Sequence, residues 1–257
     1  MILSDAELER YARHIVLPQV GGPGQRKLKA SSIVLVGAGA IGSAALPALA
    51  AAGVGRLTII DDDAIELSNL HRQPIYREDQ IGERKAPAAV AFSRGLNSSV
   101  EAIAVDRRMT GDNAEALLAG HDMVLDGSDN FMTRLAVNEA SVALKLPLVS
   151  AAAAQFQGQI VLLRGWEASQ PCYRCFVGDA FDADDCDTCA ELGVLGALTG
   201  AVGQFAALVA LRSILGIGDD AAGKLFLLDG TALSWRSMAL PKDRNCRTCG
   251  GPDAATP

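Results

Sequence analysis

Ile33-Val34-Leu35-Val36-Gly37-Ala38-Gly39-Ala40-Ile41-Gly42 decides the fold. Its first four residues are apolar and mostly β-branched, the mark of a strand covered on both faces in a parallel sheet. A Gly-x-Gly-x-x-Gly turn follows at once and leads into a small-residue helix ending near Gly53. Glycine there permits a tight bend and lets a phosphate approach the amides of a helix N-terminus, where the dipole favours anions. Leu57-Thr58-Ile59-Ile60 reads as the second strand. Asp61 ends it, 19 residues after Gly42, where a carboxylate meets ribose hydroxyls in dinucleotide folds.

Outward from that unit, residues 83–96 and about 130–145 have helical character. Residues 100–105, 123–125 and 148–149 have strand character. Such alternation predicts βαβ units and a mostly parallel sheet. After Ala151 the pattern changes, and 155–163, 225–228 and 232–240 read as strands that extend the sheet antiparallel. Upstream, Ser4-Asp5-Ala6-Glu7 is a capping box that opens a helix with Leu8, Tyr11 and Ile15 on one face. Gly21-Gly22-Pro23-Gly24 is expected to break it. The expected architecture is α/β: a single domain over 1–257 built on a Rossmann-like, mostly parallel sheet extended by antiparallel strands, with a cysteine-bearing appendage. It divides into an N-terminal helical segment at 1–30, a nucleotide-binding half at 31–150 and a second half at 151–257.

With 257 residues, 49% of them apolar, the chain has material for a sizeable core. A net charge of −7 argues against nucleic acid as a partner, because phosphate backbones need a basic face. The N-terminus has no basic stretch followed by an apolar run, so no secretory signal is expected and a cytoplasmic location is. Residues 192–211 carry no charge for twenty positions, long enough for a membrane span. A span there would part Cys172/Cys175 from Cys246/Cys249. Gly193, Gly196, Gly200 and Gly203 suit close packing, and Gln204 is costly in lipid. A buried or interface helix is expected, and no membrane.

The glycine turn alone favours a nicotinamide- or flavin-dependent oxidoreductase. The residues beyond it shift that balance. Asp61-Asp62-Asp63 leads into Ser68-Asn69-Leu70-His71-Arg72-Gln73, and Lys85 adds a second cation. Asp126-Gly127-Ser128-Asp129-Asn130 follows the fourth strand and sets two more carboxylates at the same sheet edge. Cations with carboxylates describe a site for a triphosphate and Mg²⁺. Taken singly, Arg72 or Lys85 reads equally as a solvated charge, and Asp129 as a helix N-cap.

On these stretches the chain resembles the molybdopterin-synthase and thiazole-biosynthesis adenylyltransferases (MoeB, ThiF, HesA), relatives of the ubiquitin-activating enzymes. Further matches are Arg10-Tyr-Ala-Arg13-His-Ile, Ala52-Gly-Val-Gly55, Gly82-x-x-Lys85, Pro171-Cys-Tyr-Arg-Cys175 and Cys246-x-x-Cys249. The resemblance implies ATP-dependent adenylation of the C-terminal carboxylate of a ubiquitin-like sulfur carrier ending in Gly-Gly. It implies that Gly37, Gly39 and Gly42 cradle the nucleotide and that Asp61 holds the ribose. Asp63, Ser68 and Gln73 would line the nucleotide site. Asn69, Arg72 and Lys85 would hold the triphosphate, and Asp129 Mg²⁺ with Asn130 near the nucleotide. Arg13 would reach the partner subunit's phosphates in a homodimer, and 151–257 would hold the carrier. The family commonly has glycine where this chain has Ala40, which puts backbone contact there in question. The chain ends soon after Cys249, so sulfur is expected from a separate donor. An inactive nucleotide-binding scaffold is the further alternative, and retained Arg72, Lys85 and Asp129 count against it.

All six cysteines fall in C-x-x-C pairs, 172/175, 186/189 and 246/249. Two such pairs complete a closed zinc site. Spacing leaves open whether 172/175 joins 186/189 or 246/249; the resemblance implies Cys172, Cys175, Cys246 and Cys249. Cys189 resembles the family's loop cysteine, which serves acyl or sulfur transfer in some relatives. Its acidic neighbours would keep the thiol protonated. An unreactive cysteine and a Cys186–Cys189 disulfide are the alternatives.

Overall fold

A computed structural model describes residues 2–178 and 193–251. Eight strands form one sheet in the order β3-β2-β1-β4-β5-β6-β7-β8. β1 (Ser32–Val36), β2 (Arg56–Ile60), β3 (Glu101–Val105), β4 (Met123–Asp126) and β5 (Leu148–Ala154) run parallel. β6 (Gln157–Leu163), β7 (Lys224–Asp229) and β8 (Ser234–Ala239) continue antiparallel. This is the mixed sheet expected from the sequence. The order reverses at β1: the chain steps outward to β2 and β3, then returns to β4 on the other side. Open α/β sheets bind ligands at such a switch, beyond the carboxyl ends of the strands.

The N-terminal segment packs beside this sheet. Ser4 caps α1 (Asp5–Arg10), accepting from the Glu7 amide while the Glu7 carboxylate accepts from the Ser4 amide. α2 (Ala12–Ile15) follows. Tyr11 parts α1 from α2, which ends at Ile15 ahead of the glycine-rich run; that run, expected to break a helix, instead opens α3 (Gly21–Ala30). Pro23 stands in the first turn, where its missing N–H has no intrahelical partner to lose.

β1 is buried along its whole length, and its pleat feeds two cores. Ile33 and Leu35 face a layer that includes α4 (Ala40–Ala51) and α5 (Lys85–Leu96). Val34 and Val36 face the layer of α6 (Ala114–Leu118), α7 (Phe131–Ala143) and α8 (Tyr173–Val177). The uncharged run becomes α9 (Gly196–Leu215), long and apolar enough to cross a membrane, with half of its apolar window buried within the protein. It lies on α4: a Cβ at Gly203 would stand 2.6 Å from the Ile41 carbonyl oxygen, and Gln204 Nε2 donates to Ala44 O at 2.8 Å. Gly196 is likewise held tight, against His71, whereas Gly193 and Gly200 face open space.

Candidate active site

The carboxyl ends of β1, β2 and β4 open into one cavity of about 310 Å³. The three loop glycines divide the work. Gly37 takes a left-handed turn, φ +82°, and a Cβ on Gly42 would fall on its carbonyl oxygen. These two serve the bend and the approach of α4 to β1. Gly39 N-caps α4, and a Cβ there would meet only Gln73 Nε2, at 3.8 Å. Its backbone is open to the cavity, as a phosphate cradle requires. Ala40, first residue of α4, lines the wall beside it.

Asp61 directly follows β2, with both oxygens engaged: Oδ2 accepts from the Ala38 amide at 2.7 Å and Oδ1 from the Asp63 amide at 2.8 Å. Burial raises its pKa above the ordinary aspartate value, opposed by the charge of Lys85 and by these two amides. The Lys85 side chain is only 6% exposed, and its Nζ meets Asp63 Oδ2 at 2.8 Å. A buried ammonium needs such a counter-charge. Asn69 and Gln73 are buried in the same wall, with Arg72 half-buried. Arg72 Nη1 donates to Ser68 O at 2.7 Å. Gln73 Oε1 is a buried acceptor in this wall with no partner among the described residues. An orphaned acceptor there is an atom that a ligand or water would satisfy.

β4 delivers the acidic loop. Asp126 Oδ1 accepts from the Ser128 amide at 3.0 Å and its hydroxyl at 2.7 Å. Asn130 Oδ1 accepts from the Thr133 amide at 3.0 Å and thereby caps α7. Capping, the alternative explanation for Asp129, is therefore the task of Asn130. Asp129 is exposed at the cavity wall, and its carboxylate makes no hydrogen bond or ion pair among the described residues.

Below α7 lies a second centre. Cys172, Cys175, Cys246 and Cys249 bring their sulfurs within 4.8 Å of one another. Individual separations are 4.0 Å for 172–175, 3.6 Å for 172–246 and 3.4 Å for 175–249. A tetrahedral zinc with bonds of about 2.3 Å would hold sulfurs about 3.8 Å apart, so the donor set fits that ion. Hydrogen bonding within the cluster holds the Cys175 thiol below its ordinary pKa and pushes Cys172 above it. Cys186 and Cys189 lie outside the described residues.

The model of the ThiF family matches residues 11–248. The chain belongs to the ThiF family. It is 43% identical over 249 residues to the sulfur carrier protein adenylyltransferase of Thermus thermophilus, covering 95% of this chain and 91% of that one. Identity to the sulfur carrier protein ThiS adenylyltransferase of Escherichia coli is 38% over 253 residues, 98% and 99% of the two chains. A crystal structure of E. coli MccB with MccA-N7isoASN has the same fold, with a TM-score of 0.82 at 19% identity over 97% of this chain and 76% of that one.

In this ThiF-family chain the cavity gathers Gly37, Gly39, Asp61, Asp63, Asn69, Arg72, Gln73, Lys85, Asp129 and Asn130 from five separate sequence stretches. Three expected residues lie off its wall. Gly42 sits beneath the loop, and Ser68 is exposed with its hydroxyl on Glu66 Oε2 at 3.1 Å. Arg13 is exposed on α2 with no side-chain partner among the described residues. The sequence reading missed Arg107, Arg108 and Arg134. The first two follow β3 at the carboxyl edge, and that position was the available signal. Arg134 carried no signal, since an arginine inside a helix reads as solvated until its burial is known.

Proposed function

We infer that the chain uses ATP to adenylate the C-terminal glycine carboxylate of a ubiquitin-like sulfur-carrier protein, releasing pyrophosphate, in molybdopterin or thiamine biosynthesis. The observation that carries this is the union of the family match over 11–248 with a cavity pairing Arg72 and Lys85 with Asp61, Asp63 and Asp129. Asp61 accepts the ribose hydroxyls, and the open backbone at Gly39 faces the phosphates. Asn69, Arg72 and Lys85 hold the triphosphate, Lys85 exchanging Asp63 for phosphate oxygen. Asp129 offers an unpaired carboxylate of the kind Mg²⁺ takes. When bound there, Mg²⁺ would supply positive charge for the departing pyrophosphate. A carrier carboxylate oxygen attacks the α-phosphorus, the bond to the β-phosphate's bridging oxygen breaks, and pyrophosphate leaves with the electron pair. The carboxylate is already ionised, so alignment and charge stabilisation suffice, with no protein nucleophile.

The remaining assignments belong to the same reading. Residues 1–257 form one adenylation domain, with the carrier seated on the antiparallel half at 151–257. Trp235 on β8 is 42% exposed and stacks on Phe205 of α9 at 4.4 Å, an apolar face suited to a protein partner. Zinc sits in the four-cysteine centre, which a cytoplasmic location keeps reduced. Arg13, without a side-chain partner among the described residues, completes the site of a second copy in a homodimer. No thiol among the described residues lines the cavity, which supports sulfur arriving from a separate donor. Any role of Cys189 follows the adenylate. The test is exchange of labelled pyrophosphate into ATP. It should require the carrier and fall at least about a hundredfold in Asp129→Ala, with the fold retained. Undiminished exchange in that variant would remove Asp129 from the mechanism.

A further inference from the structure

α7 carries two buried polar side chains one turn apart, Arg134 at 7% and Asn138 at 1% exposure. Their partners belong to different centres. Arg134 donates to the carbonyl of Ser128, to Ala151 O at 2.9 Å and to Ser150 Oγ at 3.1 Å. Ser128 immediately precedes Asp129. Asn138 Nδ2 points at Cys172 Sγ, 3.6 Å away, and Asn138 Oδ1 accepts from the Tyr173 amide at 2.7 Å. The Tyr173 ring in turn lies under the Arg134 guanidinium, 5.9 Å from its carbon. Arg174, next in the Cys-Tyr-Arg-Cys turn, joins Glu139 of α7 at 3.1 Å and Thr248 of the other cysteine turn at 3.1 Å.

One helix therefore grips the cysteine centre and the acidic loop at once. A hydrogen bond to a metal-bound sulfur orients the ligand and tunes its basicity. A buried guanidinium with three oxygen partners has few other positions open to it. We propose that Arg134 and Asn138 are positioning residues that couple the two centres, so that zinc at the four thiolates and Mg-ATP at Asp129 strengthen each other's binding. Binding linkage is reciprocal, so nucleotide must raise the zinc affinity by the factor by which zinc raises the nucleotide affinity.

The inference rests on the functional reading above, and its test separates the two. Zinc-loaded full-length protein is titrated with a chromogenic chelator of known affinity, and the zinc dissociation constant is read at equilibrium with and without Mg-ATP. Calorimetry on the same preparation confirms that nucleotide binds. Mg-ATP should lower that constant about fivefold or more. In Arg134→Met and Asn138→Ala, still holding one zinc, the ratio of the two constants should fall to about one. A wild-type constant indifferent to bound Mg-ATP overturns the coupling without touching the adenylation reading, and needs no variant to fold. A ratio retained in both variants overturns the role of these two residues. Failure to bind ATP or zinc at all overturns the functional reading and the coupling with it.

Discussion

Asp61 shows how one residue's setting fixes a measurable pH response. Burial raises its pKa, and Lys85 only partly offsets this. A folded-state value above the unfolded one means that folding favours the proton. The residue's contribution to stability is then fully present below the unfolded pKa and is lost as pH rises through the folded value. Nucleotide binding runs the other way, because a protonated carboxyl loses an acceptor for the ribose hydroxyls. Followed by calorimetry as pH is lowered, ATP affinity should begin to fall before the ordinary aspartate range is reached. Asp61→Asn should bind more weakly with a flatter profile. A wild-type affinity constant through that range would contradict the ribose assignment. At this scale the charged site was legible, because strand ends and loop carboxylates leave a spacing in the sequence. Arg134 was not, since its meaning lies in Ser128, Ser150 and Ala151 around it.

Among the elements, the N-terminal helices depend on a contact made by glycine. Gly53, just past the end of α4, has φ +79°, and a Cβ there would collide with the Tyr11 ring. Tyr11 is 3% exposed, and its hydroxyl accepts from Asn97 Nδ2 at 2.9 Å. Gly53→Ala should lower stability by at least about 1 kcal/mol in denaturant melts and loosen the segment that carries Arg13. A melt matching wild type would mean that Tyr11 moves at little cost. The cysteine centre makes a separate statement. Metal analysis should find one zinc per chain, kept in Cys186→Ser/Cys189→Ser and lost in Cys246→Ser. The reverse pattern would place the metal on 172/175 with 186/189. The strands were legible as elements because apolar runs bounded by glycine have one common fate. α3 was not, because Gly21-Gly22-Pro23-Gly24 reads as a break until Pro23 is seen to occupy a first turn. α9 read as core only through its glycines and Gln204, and of the four glycines two make the close approach.

For the whole molecule, the central question is whether one chain contains its site. Arg13 lies outside its own cavity, exposed on α2. Arg13→Ala and Asp129→Ala proteins should each be inactive alone. Mixed, they should regain activity, since a hybrid dimer holds one site with Asp129 from one copy and Arg13 from the other. No recovery despite demonstrated subunit exchange would falsify the trans assignment. The same scale explains why the sheet spans both halves of the chain: β1 to β5 edge the cavity proposed for the nucleotide, and β6 to β8 carry the apolar face proposed for the carrier. The most direct measurement is mass spectrometry of candidate carriers incubated with the protein, ATP and Mg²⁺. One adenylate per carrier is expected, on the terminal glycine carboxylate and absent when Mg²⁺ is withheld or when that carboxylate is amidated. Carriers left unmodified, or modified at a side chain instead, would contradict it.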